Sequence, residues 1–319
     1  MFLFGLILFL ICSMTYHHIK LAVEKKKYMH PGKLIEIDGH KMLIYGTGQG
    51  KPTVVMTCGS GTPSAYTELY HIASEISNIT RTCIYERPGY GWSEHASTSR
   101  DTEQIVSDLH RLLGKAGEKP PYLFVAHSMG AMETLLYTKK YPEEVEGIVL
   151  VDGTSPFKHI HHSKTSIPIF LIYILKLINT LGIVRIVGEL GLIPVLNKRL
   201  QSMPKDIRAI EKAMIYKNIL NRMVLKEGDL LLEIAKKMQG QLDYGNKPLI
   251  IYVADKSLKK LPGWKESQDS LSKLTTRSKM IIVKDSNHIS ILHDHASNII
   301  AGIKKLTLEI RENKKTNCQ

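Results

Sequence analysis

Six short apolar runs constrain the fold of this chain more than any other feature: TVVMT (53–57), TCIY (82–85), YLFVA (122–126), GIVLV (147–151), LIIYV (249–253) and MIIV (280–283). Each is continuous rather than alternating, the pattern of a strand covered on both faces. Helical patterns lie among them, over 65–77, 101–115, 129–140, 265–274 and 296–311. Alternation of strand and helix predicts a mostly parallel twisted sheet with right-handed crossovers and flanking helices, an α/β architecture. Upstream, the segments 34–37 and 42–45 flank Asp38-Gly39, a hairpin signal. One long stretch, 154–246, breaks the alternation with helical sequence and no convincing strand.

This pattern predicts an amino-terminal anchor over 1–19, a basic linker over 20–32 and a core over 33–153. An inserted helical lid over 154–246 follows, then the rest of the core over 247–312 and a polar tail over 313–319. The early part of the insertion, 167–196, is unusually apolar. Pro168, Lys176 and Arg185 interrupt it, which favours a lid over a second membrane span.

Composition narrows the class. Hydrophobic residues are 43% and charged residues 23% of 319, an ordinary globular balance that excludes a disordered, collagenous or multi-span chain. The cysteines Cys12, Cys58, Cys83 and Cys318 show neither disulfide-scaffold density nor C-x-x-C spacing, so no zinc or redox motif is read. The net charge of +13 asks for an anionic partner. No nucleic-acid motif accompanies it, and no nucleic-acid partner is expected; a lipid surface fits better.

The amino terminus supports that choice. MFLFGLILFLICSMTY opens the chain, and no Lys, Arg, Asp or Glu occurs before Lys20. A helix over this stretch would be about 28 Å long, close to a bilayer core. It lacks the basic start and small-residue cleavage site of a secretory signal, so a single uncleaved membrane span is expected. Lys20, Lys25, Lys26 and Lys27 follow it, which places the domain on the cytoplasmic side.

The chemistry centres on Ala126-His127-Ser128-Met129-Gly130, between the run YLFVA and a helical pattern. A serine in a sharp strand-to-helix turn has its hydroxyl exposed at the carboxyl end of the sheet, where open α/β sheets bind ligands. Here the sequence resembles the α/β-hydrolase superfamily, over roughly 34–311. Ala126 stands where Gly is usual in Gly-x-Ser-x-Gly. Two further motifs carry the resemblance: Glu86-Arg87-Pro88-Gly89-Tyr90-Gly91-Trp92-Ser93, similar to the family's D-R-P-G-x-G-x-S loop and architectural there, and Cys58-Gly59-Ser60, in the place of its His-Gly loop.

The resemblance implies a fold and a site. Ser128 would be the nucleophile, with the backbone N–H groups of Ser60 and Met129 as the oxyanion hole. The base would be His288, which follows the run MIIV and matches the family's late histidine; His293 and His295 lie toward the next helix. Two carboxylates compete for the acid. The family's usual position aligns with Ser257, leaving Asp255 two residues early. Asp152 ends the run GIVLV, a location used in some branches, and is preferred slightly. Its competing use is as a helix cap.

Serine at position 128 points to the esterase, lipase, thioesterase or C–C hydrolase branches, because haloalkane dehalogenases and soluble epoxide hydrolases carry Asp there. The expectation is a serine hydrolase acting on a carboxylic ester or related acyl substrate, probed by an apolar lid that suits an apolar acyl group, with no cofactor or metal implied. The irregular acid and Cys58 leave two other readings open: a non-catalytic small-molecule-binding protein on this fold, and a membrane-associated scaffold whose basic lid binds lipid or RNA.

Overall fold

The computed structural model describes residues 1–96, 102–162, 169–218, 231–240 and 242–317. Eight strands form one sheet: β1 (Lys33–Ile37), β2 (His40–Thr47), β3 (Thr53–Thr57), β4 (Thr82–Tyr85), β5 (Tyr122–His127), β6 (Val145–Val151), β7 (Leu249–Ala254) and β8 (Ser278–Val283). Their order is β1-β2-β4-β3-β5-β6-β7-β8. Strand β2 runs antiparallel to β1 and β4, through the turn at Asp38-Gly39; every later neighbouring pair is parallel. The central strands β3, β4 and β5 are buried along their whole length, as their continuous apolar character demands.

Helices cover both faces. α2 (Ala65–Ser77) and the carboxyl-terminal helix Ala296–Asn317 contribute to one core layer, with Leu69, Ile72, Ile303 and Leu306 among its buried residues. α3 (Thr102–Ala116) and α4 (Gly130–Lys140) contribute to the other, through Leu109, Leu113, Met132 and Leu135.

The regular structure of the insertion between β6 and β7 is helical among the described residues: α5 (Pro156–His162), α6 (Ile169–Thr180), α7 (Ile183–Glu189), α8 (Pro194–Gln201), α9 (Lys205–Asn218) and residues 231–238. The described part of the apolar stretch, 169–196, does not form one long helix. It is broken at Gly182 and Gly191, both in the left-handed backbone region. Arg199 on α8 clamps this insertion to the body, pairing with Glu68 of α2 and, at 2.6 Å, with Glu211 of α9.

At the amino terminus, α1 (Phe2–Lys27) is a single 26-residue helix, apolar and long enough to cross a membrane by length and composition. It does not stop where its uncharged sequence stops. Lys25, Lys26 and Lys27 occupy the last turn, where cations complement the helix dipole, so much of the expected basic linker is helical.

Candidate active site

Three strand ends at one edge of the sheet build the site. Ser128 follows β5 with φ +55°, a conformation costly for a residue with a Cβ and maintained here by the strand before it and the helix after it. Two ladder-like bonds hold the turn, Ser128 N–H to Val151 O (3.2 Å) and Thr154 N–H to Ser128 O (3.0 Å). The loop after β3 runs so close that a Cβ on Gly59 would lie 2.7 Å from the Ser128 Cβ, so only glycine fits there.

His288, in the loop after β8, reaches both partners. Its Nε2 lies 2.9 Å from Ser128 Oγ and its Nδ1 lies 2.7 Å from Asp152 Oδ2. Asp152, immediately after β6, is fully buried and also has a positive φ, +44°. Three other donors converge on it: Ser257 Oγ on Oδ2 (2.6 Å), and Trp264 Nε1 (2.9 Å) and the Ala254 N–H (3.1 Å) on Oδ1. Burial alone would raise the Asp152 carboxyl. The hydrogen bond with His288, the histidine's charge and the Ser257 and Trp264 donors outweigh burial and hold it below the usual carboxylate range. Asp152 therefore does not cap the lid.

Asp255 is not brought to the imidazole. It opens the helix Asp255–Lys260 and turns to Lys259, one turn on, at 3.2 Å. Residues two apart on a helix point about 200° away from each other. Ser257 accordingly faces Asp152 while Asp255 faces elsewhere, which corrects the expectation that either carboxylate could serve. His293 is also diverted, its Nε2 lying 3.4 Å from Glu68.

Several supporting residues carried no distinguishing signal in the sequence. Trp264 not only donates to Asp152 but also sets its ring edge-on to His288, with centroids 5.9 Å apart. His127, inside the Ser128 motif, sits with Nε2 2.9 Å from the His288 carbonyl and its ring 4.7 Å from the His288 ring. Burial and the neighbouring His288 push its pKa down to about 4, so it is neutral and its Nε2–H donates.

Arg87 explains the E-R-P-G motif. Its guanidinium donates to Glu133 Oε1 (2.9 Å) and to the carbonyls of Cys58 (2.9 Å) and Gly59 (2.6 Å). It thereby ties the loop beside Ser128 by its oxygens. Glu86 accepts from Ser64 Oγ (2.5 Å) and the Ala65 N–H (2.8 Å) at the start of α2. Met129 follows Ser128 at the start of α4, and Ser60 follows Gly59, the residue packed against the Ser128 side chain. The Cys58 thiol is buried, which raises its pKa well above the ordinary value.

Residues 55–175 match the family described as alpha/beta hydrolase fold. Of the curated relatives, the uncharacterized protein YbdG of Bacillus subtilis is 27% identical over 206 residues, 65% of this chain. The matched stretch spans 63% of that protein, under two thirds of its length. Among solved structures, a putative lipase from Acinetobacter baumannii superposes with TM-score 0.63 at 19% identity, covering 93% of this chain and 97% of the lipase. The epoxide hydrolase VrEH1 from Vigna radiata superposes with TM-score 0.66 at 17% identity, covering 87% and 97%. Both structural likenesses are of fold. The strand order and the family match give the chain an α/β-hydrolase fold.

Proposed function

We propose that the chain is a membrane-anchored serine hydrolase that cleaves a carboxylic ester or related acyl substrate, with its domain on the cytoplasmic side. The unbroken contact series Ser128 Oγ–His288 Nε2–His288 Nδ1–Asp152 Oδ2, at 2.9 and 2.7 Å, carries the reading. Ser128 Oγ attacks the acyl carbon as His288 Nε2 takes its proton. Asp152 fixes the imidazole tautomer and stabilises the imidazolium that forms. The backbone N–H groups of Ser60 and Met129 serve the oxyanion. His288 then protonates the departing alcohol, and water, deprotonated by the same nitrogen, releases the acid from Ser128.

The apolar lid supports an apolar acyl group, and α1, followed by Lys25–Lys27, supports the membrane location and side. The test is a fluorophosphonate probe on the purified protein, with p-nitrophenyl esters of graded chain length as substrates. Labelling and turnover that both vanish in Ser128→Ala are expected. An unlabelled native protein, or labelling that survives Ser128→Ala, overturns the reading.

A further inference from the structure

The carboxyl-terminal half of α1 is engaged with the lid. Ser13 Oγ donates to Leu181 O at 2.7 Å, and a Cβ on Gly182, which has φ +78°, would lie 2.5 Å from Ser13 O. Tyr16 Oη donates to Glu189 at 2.6 Å. Arg185 of α7 is completely buried beneath this contact. It forks onto Glu24 at 2.6 and 2.7 Å, donates to His17 Nδ1 at 3.2 Å, and lies over the Tyr216 ring at 4.4 Å. Just past the helix, Trp92 Nε1 donates to Tyr28 O at 2.9 Å. From Ser13 onward, α1 is therefore part of the folded domain.

Length then decides what the remainder can do. Only residues 2–12 extend free of these contacts, about 17 Å of helix against a hydrocarbon core of about 30 Å. A docked α1 cannot cross. Its free part is apolar on every side, exposing Phe2, Leu3, Phe4, Ile7, Leu8 and Ile11.

The lid offers a second apolar surface beside it. α6 ends at Thr180, next to the Leu181 carbonyl held by Ser13, and exposes Phe170 (63%), Leu171, Tyr173 (64%), Ile174 and Leu177. Leu190, Leu192 and Val195, in and after the turn following α7, are exposed as well. A water-facing helix is not built this way. Lys176 is the one charged residue of α6, and a lysine in that setting reaches its ammonium out to the phosphates. Lys25, Lys26 and Lys27 close α1 and suit an anionic headgroup layer, as does the chain's net charge of +13.

We infer that α1 and α6 together seat the protein on one leaflet of an anionic phospholipid bilayer, α1 entering it without crossing, so that the lid itself is part of the membrane contact. The inference rests on the anchor reading and replaces its spanning helix with a one-sided one.

The test uses the full-length chain on phosphatidylcholine–phosphatidylglycerol vesicles, with Cys12 and Cys318 changed to serine. Single cysteines enter by Phe2→Cys, Ile174→Cys or Lys273→Cys. The position-2 cysteine is expected to react with an impermeant maleimide from the same side as that at 273. A fluorophore at 174 is expected to be quenched by doxyl-labelled lipid, and one at 273 is not. Phe170→Asp/Ile174→Asp should weaken vesicle binding at least tenfold while fluorophosphonate labelling in detergent is kept. Reaction at position 2 only from the opposite side overturns the inference and leaves the anchor standing. Absence of lipid quenching at 174 overturns the lid's part in it. A protein that floats with no vesicles overturns both.

Discussion

The acid assignment makes the sharpest prediction, because the two candidate carboxylates differ so clearly in surroundings. Asp152→Asn keeps the size of a buried side chain that receives hydrogen bonds from Ser257, Trp264, Ala254 and His288. An amide has one acceptor oxygen and one donor NH2 where the carboxylate has two acceptors. With the oxygen retained toward Trp264 and Ala254, the NH2 faces Ser257 and the Nδ1 of His288. Ser257 can rotate its hydroxyl to accept. His288 must then present a bare Nδ1, which puts its proton on Nε2, the nitrogen that must receive the Ser128 proton. In serine hydrolases that wrong tautomer costs about 10⁴ in kcat, or about 5 kcal/mol of transition-state stabilisation. Asp255→Asn weakens an exposed contact with Lys259, away from the imidazole, and is expected to leave kcat within about twofold. The assay is the second-order rate of fluorophosphonate labelling and p-nitrophenyl ester turnover for native protein and both variants, with circular dichroism as the folding control. A loss below tenfold in Asp152→Asn, or an equal loss in Asp255→Asn, would refute the reasoning.

Other outcomes follow from the same contacts. His127 is depressed from its ordinary 6.5 to about 4, so the unfolded chain binds the extra proton between those values. Stability should therefore rise with pH from about 4 to 6.5, by up to about 3 kcal/mol from this group. Urea midpoints across that range should lose this slope in His127→Gln; an unchanged slope assigns it elsewhere. Arg87→Met leaves Glu133 buried without its cation and frees the Cys58–Gly59 carbonyls, and should destabilise by about 3–5 kcal/mol. A chemical-denaturation loss under 1 kcal/mol would show the pair to be dispensable. Gly182→Ala should part α7 from α1, raising proteolysis between residues 12 and 28; an unchanged digestion pattern would show that the contact absorbs a methyl group.

The sheet was readable in advance because strands buried on both faces must be continuously apolar, and β3 through β8 begin or end within two residues of the runs in the sequence. The positions of Ser128 and His288 were readable because Ser128 directly follows β5 and His288 lies in the loop after β8. The acid was not, since β6 and β7 end at the same edge and a linear sequence does not say which side chain turns toward the histidine. Helical phase resolved it, pointing Ser257 inward and Asp255 to Lys259. Trp264 and His127 gave no sign, because neither a tryptophan opening a helix nor the variable position beside a serine has a distinguishing pattern. The extent of α1 was hidden for another reason: hydropathy counts uncharged residues, whereas the grip of Arg185 on Glu24 depends on a side chain 161 positions away.

Because the carboxylate that meets His288 follows β6 instead of β7, two of the three residues in the contact series stand at the ends of adjacent strands laced together by the 3.2 Å bond from the Ser128 N–H to Val151 O. The crossing from β7 into its helix contributes supporting donors, the Ala254 N–H and the Ser257 hydroxyl, and no member of that series. Trp264, whose indole also holds Asp152, follows only five residues past Lys259, so an insertion or tag placed at that corner should shift the carboxylate even though the corner holds none of the three groups.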